Sequence, residues 1–318
     1  MIPYKPPGVA PLPVIDIGTE RNEDAIAREV RSAALDTGFF YIANHGIPAT
    51  AVDGAFAALP RFFGLPLEVK ERLRRGKGRK GFEGAGIQII DAGSPPDLKE
   101  SWNVGWDRDP EDPSPAVNQW PEGLPGFREA IETYYRGVDA VGARLVRLVA
   151  LSLELPADYF AAAFDPPWTS LRCLCYPPQP EDAEYNQMGA GAHTDIGALT
   201  ILAQDDCGGL ELCNVAGEWL SAQVIPGTFV VNIGDMLARW TNDRYRSSLH
   251  RVMHAATKRS RYSMAFFYSP RHATTIAPIL SCIEPGEQPK YEPVLAGEYS
   301  AMRLARSRRH LQDAALHG

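Results

Sequence analysis

The chain has 318 residues and a net charge of −7, from 32 basic and 39 acidic side chains. This acidic balance gives no electrostatic reason to expect nucleic-acid binding, and 45% hydrophobic with 22% charged residues is typical of a soluble globular protein. No apolar run approaches the roughly 20 residues of a membrane-spanning helix, and the proline-rich start lacks the continuous apolar stretch of a signal peptide. We therefore expect a cytoplasmic protein without nucleic-acid or membrane partners.

The first half of the chain alternates short apolar runs with helical patterns. "PVIDI" and "FFYIANHG" predict strands, and apolar residues at helical spacing predict helices over 23–37, 49–63 and 67–74. From Gly126 to Leu155 the same spacing predicts one long amphipathic helix. The glycine-rich stretch 76–93 predicts a loop, which either covers a substrate pocket as a lid that carries Phe82 or is an exposed loop without this role.

The second half of the chain has a different texture. Beyond Pro167, short β-rich runs follow one another without helical patterns between them, which favours an antiparallel sandwich or barrel. A helix from about Glu298 to Leu311 is predicted to close the chain. The predicted fold class is therefore α+β, as one unit over 1–318 with a mainly helical region at 1–167, a β core at 168–296 and a C-terminal helix at 297–318.

Three polar residues of the β-rich half have the side chains of a metal site. If His193 and Asp195 are in extended backbone, they share a face with Cα atoms about 6.6 Å apart, and both can reach one ion. His250 lies in the later run "SSLHRVMH", and an adjacent strand could carry it to the same centre. Two imidazoles and one carboxylate suit a non-haem Fe(II) centre, although zinc accepts the same donors.

Two further groups of residues have side chains that suit anions. Arg261 and Ser263 begin a predicted strand at period-two spacing, so a guanidinium and a hydroxyl point the same way, as a carboxylate-binding pair would. The alternative is an exposed arginine at a strand edge. In "SLRCLCYP", Arg172 shares a face with Tyr176 and is predicted to line the substrate pocket and contact a polar or acidic group. A structural ion pair is the alternative for Arg172.

The order of the blocks "HTD", "NIGD", "SLHRV" and "RYSMAFFYSP" closely resembles the isopenicillin N synthase-like branch of the Fe(II)/2-oxoglutarate-dependent dioxygenases. "PVIDI", "GFFYIANHGIP" and "DLKESWNVG" extend the resemblance over most of the chain. It implies a double-stranded β-helix, or jelly-roll, core flanked by helices. It also implies that His193, Asp195 and His250 hold Fe(II).

The same resemblance implies how the co-substrate binds. Arg261 and Ser263 would bind the far carboxylate of 2-oxoglutarate, and Tyr176 matches a tyrosine that contacts the co-substrate in relatives. Plant members commonly have asparagine two residues before this tyrosine, where this chain has Leu174, so one hydrogen bond to the co-substrate is expected to be missing or replaced.

The resemblance implies an enzyme that uses Fe(II), O2 and 2-oxoglutarate to oxidise a C–H bond of a small-molecule substrate, releasing succinate and CO2. Hydroxylation is the usual outcome, and desaturation or ring chemistry also occurs in relatives. The R-x-S motif occurs in some relatives that do not consume 2-oxoglutarate. Two alternatives stay open: an ethylene-forming breakdown of 2-oxoglutarate, since "AHTD" and "AQDDCGGL" resemble that enzyme, and a non-catalytic metal-binding jelly-roll module.

Overall fold

The computed structural model describes residues 7–86, 97–105, 116–178, 188–253 and 259–305. Its helices are α1 Glu23–Asp36, α2 Ala49–Phe63, α3 Leu67–Arg72, α4 Phe127–Ser152, α5 Asp235–Trp240 and α6 at 296–305. The strands of the first half are β1 Gly8–Val9, β2 Val14–Asp16, β3 Phe39–Ala43, β4 Phe82–Glu83 and β5 Glu100–Val104. Those of the second half are β6 Trp168–Tyr176, β7 Ala190–His193, β8 Leu199–Gln204, β9 Leu210–Cys213, β10 Trp219–Ser221, β11 Phe229–Ile233, β12 His250–Val252, β13 Arg261–Ser269, β14 Thr275–Ile276 and β15 Val294–Leu295.

Two sheets face each other across a shared apolar interior. The larger sheet has the order β2-β3-β11-β8-β13-β6-β5-β4, and the smaller has the order β1-β10-β9-β12-β7. One cluster of buried residues joins Tyr41, Leu174 and Val230 of the larger sheet to Leu212 and Val252 of the smaller sheet. This arrangement of strands confirms the predicted jelly-roll core with flanking helices.

The outer face of the larger sheet packs against the helices. Along α4, apolar residues recur on one side and bury Ile131, Val138 and Leu145 in a second, larger core cluster. Helix α4 comes so close to β13 that a Cβ at Gly142 would lie 2.5 Å from the ring of Tyr268. The absence of a side chain at this position therefore lets the longest helix rest directly on the sheet.

Strands of the first half complete the larger sheet. Strand β3 pairs with β11, β2 pairs with β3, and β5 pairs with β6, so this sheet extends well beyond the predicted β core at 168–296. The helices predicted at 23–37, 49–63, 67–74 and 126–155 are all present, and their ends lie within three residues of those expected. Helix α6 begins two residues before Glu298, and the predicted end at Leu311 lies outside the described residues.

The side chain of Phe82 lies on the helix-covered face of the larger sheet and does not point into the space between the two sheets. In the pairing of β4 with β5, Phe82 lies opposite Trp102 and Glu83 lies opposite Ser101. Phe82 and Trp102 are fully buried in the core beneath the helices, where Phe82 contacts Phe62. The prediction that Phe82 contacts the substrate is therefore wrong, because side chains alternate along a strand and Glu83 is the one that faces inward.

Candidate metal centre and co-substrate pocket

His193 and His250 lie directly opposite each other on the antiparallel strands β7 and β12. Their ring centroids are 4.3 Å apart, and Asp195, two residues past the end of β7, brings its Oδ1 to 3.7 Å from the Nε2 of each ring. One ligand atom from each of the three residues lies within 4.8 Å of the other two. The structure thus brings together the three residues that the sequence analysis selected.

Each histidine ring is oriented by a backbone carbonyl. The Nδ1 of His193 donates to the carbonyl of Gly191 at 2.8 Å, and the Nδ1 of His250 donates to the carbonyl of Ser248 at 3.1 Å. Burial, followed by the nearby His250, lowers the pKa of His193, so this ring is neutral at pH 7. Because each Nδ1 is used in a hydrogen bond, the Nε2 of each ring is the atom available to a metal, 3.7 Å from Asp195 Oδ1.

The carboxylate of Asp195 is oriented through its other oxygen. Its Oδ2 accepts hydrogen bonds from Thr200 Oγ1 at 2.6 Å and from Asn232 Nδ2 at 2.8 Å. Burial raises the pKa of Asp195, but the two histidines and these two hydrogen bonds outweigh it and lower the pKa overall. Asp195 is therefore ionised, with Oδ1 left to bind a cation.

Thr200 and Asn232 were not identified as site residues from the sequence. Asn232 belongs to the block "NIGD", and Thr200 lies opposite it in the pairing of β8 with β11. The inward positions of these two strands could have suggested both residues, because side chains opposite each other in a pair share a face of the sheet.

Asp235 of the same block fixes the position of the segment that carries His193 and Asp195. Its carboxylate accepts hydrogen bonds from Ser247 and Thr194 and forms an ion pair with Arg303, and its backbone N–H donates to the carbonyl of Asp195 at 2.7 Å. A Cβ at Gly234 would lie 2.2 Å from the carbonyl oxygen of Gly197, so the backbone approaches closely here. The "NIGD" block is thus a support for the metal site.

Arg261 and Ser263 lie on the inner face of β13, opposite Tyr176 and Leu174 of β6. Only 4% of Arg261 is exposed, and its guanidinium lies 4.9 Å from the centre of the Tyr176 ring. Its three nitrogens donate to Gly208 O at 2.5 Å, Ser263 Oγ at 3.1 Å and Gln204 Oε1 at 3.1 Å. In the part of the chain that the structure describes, no carboxylate forms an ion pair with Arg261.

Arg172 lies on the same inner face of β6, further along the strand. It forms an ion pair with Glu83 at 3.0 Å and donates to Ser101 Oγ at 3.1 Å, and burial lowers its pKa. The structural ion pair, which was the alternative for Arg172, is therefore present. Arg172 also lines a cleft with Asp97 and Lys99, and its contact with substrate stays a prediction.

Two family models match the chain. The model of the 2OG-Fe(II) oxygenase superfamily matches residues 167–270, which carry all three candidate metal ligands, and the model described as non-haem dioxygenase in morphine synthesis N-terminal matches residues 12–123. Relatives that are more than 30% identical also cover more than four fifths of this chain. The chain belongs to the 2OG-Fe(II) oxygenase superfamily. The resemblance drawn from the sequence blocks is confirmed, and this oxygenase uses Fe(II), 2-oxoglutarate and O2 to oxidise a small molecule.

Curated relatives cover nearly the whole oxygenase. The 2-oxoglutarate-Fe(II) type oxidoreductase hxnY of Emericella nidulans is 34% identical and covers 89% of this chain and 86% of its own. The 2-oxoglutarate-dependent dioxygenase citB of Monascus ruber is 38% identical and covers 81% and 84%. Among solved structures, a full-length Neurospora crassa protein in complex with alpha-KG has a TM-score of 0.85 at 29% identity, covering 95% of this chain and 99% of its own.

The donor set fits ferrous iron. Neutral imidazole nitrogens and one carboxylate oxygen are the donors of the non-haem Fe(II) oxygenases. The side chain of His193 is 26% exposed, whereas those of His250 and Asp195 are 9% and 6% exposed, so the site is open on the His193 side.

Among the described residues, no helix is both long and apolar enough to cross a membrane.

Proposed function

We propose that His193, Asp195 and His250 are the Fe(II) ligands of this oxygenase, and that Arg261 and Ser263 bind the far carboxylate of 2-oxoglutarate. The observation that carries the co-substrate site is the charge of Arg261. A guanidinium that is 4% exposed, and has no carboxylate partner among the described residues, would be stabilised by a bound anion. A planar carboxylate suits its geometry.

When bound, Fe(II) and 2-oxoglutarate activate O2 for oxidation of a substrate C–H bond, with release of succinate and CO2. The chain contributes the placement of these groups. The carbonyls of Gly191 and Ser248 hold the histidine rings, and Thr200 and Asn232 hold the carboxylate, so the ligands are oriented before the metal arrives. The neutral ring of His193 binds metal without first losing a proton.

Tyr176 is proposed to complete the co-substrate pocket. Burial raises the pKa of its hydroxyl, which stays protonated and can donate to a carboxylate oxygen. Leu174 lies opposite Ser263 and offers no hydrogen bond, in the position where plant relatives commonly have asparagine. Gln204, whose amide oxygen contacts Arg261, is the neighbouring polar side chain that we propose takes part instead.

We propose a small-molecule substrate that is hydroxylated or otherwise oxidised. Structures of the same Neurospora crassa protein with thymine and with 5-formyluracil support a substrate of this size. We also propose that the protein works in the cytoplasm without a nucleic-acid partner, and its net charge of −7 supports the second point.

The test is anaerobic addition of Fe(II) and 2-oxoglutarate, followed by visible absorption spectroscopy. The wild-type protein is expected to develop the metal-to-ligand band of a chelated 2-oxoglutarate, and Asp195→Ala is expected to lose both this band and all turnover. A normal band in Asp195→Ala would overturn the ligand assignment. Measuring succinate and ethylene after O2 is admitted separates hydroxylation from the ethylene-forming alternative.

Asp206→Ala is the matched control. Asp205, Asp206 and Cys207 form a second group whose ligand atoms lie within 4.8 Å of one another. Asp206 is exposed and pairs with Arg259 at 2.6 Å. We expect Asp206→Ala to keep the band and the turnover of the wild type. Loss of the band in this control would move the metal to the second group.

A further inference from the structure

A charged cleft lies at the edge of the larger sheet, on the inner faces of β4, β5 and β6. In the strand pairing, Glu83 is opposite Ser101, Ser101 is opposite Leu174, and Asn103 is opposite Arg172. Opposite residues of paired strands share a face, so the polar side chains Glu83, Ser101 and Arg172 face the same interior as Leu174. The proposed metal and co-substrate sites do not use this cleft.

The other wall of the cleft is joined to the strand that carries His193. Asp97 and Lys99 precede β5, and both line the cleft. Asp97 Oδ1 accepts the backbone N–H of Gly191 at 3.0 Å, and the carbonyl of Gly191 accepts from His193. The cleft is therefore next to the metal centre.

Hydrogen-bond donors exceed acceptors among the described residues that line this cleft. The ammonium of Lys99, 5% exposed, donates to Asp97 Oδ2 at 2.5 Å and, within the described part of the chain, to nothing else. The Nε of Arg172 is buried and has no hydrogen-bond partner within the described ranges. Because an ammonium carries three donors and a guanidinium five, several N–H groups are left for an occupant.

Among the described residues in and around the cleft, cations outnumber carboxylates by one when Arg75 is counted. Glu83 is shared between Arg172 at 3.0 Å and Arg75 at 3.3 Å, and Asp97 is paired with Lys99. Arg172 and Lys99 line the cleft, whereas Arg75 is exposed and reaches Glu83 from outside it, so three cations share these two carboxylates. Burial lowers the pKa of Lys99 to about 8, with Asp97 opposing this effect, so Lys99 is still mostly charged at pH 7. An occupant with one negative charge and oxygen acceptors would balance the cleft.

We propose that this cleft binds a carboxylate of the primary substrate, and therefore that the oxygenase acts on small monocarboxylic acids. The inference rests on the proposed function, because it assigns the substrate class of that same site. Arg172 and Lys99 are the anion-binding residues, while Glu83 and Asp97 hold them in place. A cationic group would meet two like charges there, and a neutral group would leave the excess charge unbalanced.

The test measures thermal unfolding of the enzyme loaded anaerobically with Fe(II) and N-oxalylglycine, an unreactive analogue that fills the 2-oxoglutarate site. Acetate, hexanoate and benzoate are titrated beside acetamide, hexanamide and benzamide. At least one acid is expected to raise Tm with saturation, by about threefold or more over the shift from its amide, because only the acid carries the charge. No acid-specific shift from any of the three pairs would overturn the proposal.

Variants assign the shift to the cleft. Arg172→Met is expected to lose the acid-specific shift, and Arg172→Lys is expected to restore part of it, because charge returns without the planar donor array. Lys70→Met is the matched control, since Lys70 is 7% exposed and pairs with Glu100 on the opposite face of β5. It should lower the starting Tm and keep the acid-specific shift. A full shift in Arg172→Met would overturn the proposal.

A screen for substrate provides a second readout. Compounds that raise succinate release above the substrate-free rate are expected to be monoanions, with a KM about tenfold or more higher in Arg172→Met. A neutral substrate with equal KM in both enzymes would overturn the inference. If the enzyme does not bind Fe(II) and N-oxalylglycine, the proposed function is wrong. If it binds both normally but shows no preference for acids, only the proposed substrate class is wrong.

Discussion

Two arginines face the barrel interior from neighbouring strands, the buried Arg261 and the partly buried Arg172, and they differ in which groups bind them. Arg261 is held by neutral acceptors, among them Gln204 and Ser263, whereas Arg172 is paired with Glu83 at 3.0 Å. Neutral hydrogen-bond acceptors do not cancel the positive charge of an arginine, so this charge is available to bind an external anion. A carboxylate partner cancels that charge, so an anion site at Arg172 depends on its spare donors and on Lys99.

The largest effect that separates the two arginines is expected from Arg261→Leu. Truncating one partner of a buried charge pair costs about 2–5 kcal/mol, so the KM for 2-oxoglutarate should rise by roughly 30-fold or more. Initial rates of succinate release against 2-oxoglutarate concentration measure this change. Arg172→Met, the matched substitution at the other arginine, should stay within about threefold of the wild type. An equal rise in the KM for 2-oxoglutarate in both variants would contradict the proposal that Arg261, and not Arg172, binds the co-substrate.

Gln204→Glu would make Arg261 resemble Arg172. The change places a carboxylate where an amide oxygen now lies 3.1 Å from the guanidinium. This internal anion would compete with 2-oxoglutarate, and we expect the KM for 2-oxoglutarate to rise by about tenfold, less than for the loss of Arg261 itself. Gln204→Ala keeps the pocket neutral and controls for the lost hydrogen bond. An unchanged KM in Gln204→Glu would contradict a carboxylate site at Arg261.

Glu83→Gln would make Arg172 resemble Arg261. The amide keeps a hydrogen-bond acceptor for the guanidinium but removes the negative charge, so the dissociation constant for benzoate should fall by about three- to fivefold. Titration of the loaded enzyme by calorimetry checks this. Glu132→Gln removes a charge from the exposed pair with Arg128 on α4 and should change nothing. Weaker benzoate binding in Glu83→Gln would argue against an anion site.

The smallest effect concerns the pH dependence of stability. Burial lowers the pKa of Lys99 to about 8 in the folded state, below its value of about 10.4 in an unfolded chain. The unfolded state therefore binds more protons between these values, and this residue makes stability rise with pH there. In urea titrations, the unfolding free energy of the wild type should rise relative to that of Lys99→Met by on the order of 1 kcal/mol from pH 8 to 9.5. A constant difference would contradict the lowered pKa.

Much of the metal site could be predicted because its evidence is local. His193 and Asp195 share a short segment, and the strand carrying His250 is visible from its own composition. The long helix α4 was equally clear, since its apolar spacing persists over many turns.

What could not be predicted depends on register. Strand β4 has two residues, and nothing local says that Phe82 rather than Glu83 faces the helices. The facing of Phe82 is determined by its pairing with Trp102 of β5, whose side chain is buried in the core. Asp97 likewise has no local signal, because its partner is a backbone N–H 94 residues away in the chain.

The direct opposition of His193 and His250 ties the chemistry to the architecture of the smaller sheet. A slip of β12 by one residue would turn the imidazole of His250 away and present Arg251 or Leu249 instead. With both rings as the proposed iron ligands, the ion would link β7 to β12, and only the native register of the two strands would allow this link. Loss of iron would then also weaken the pairing of β7 with β12.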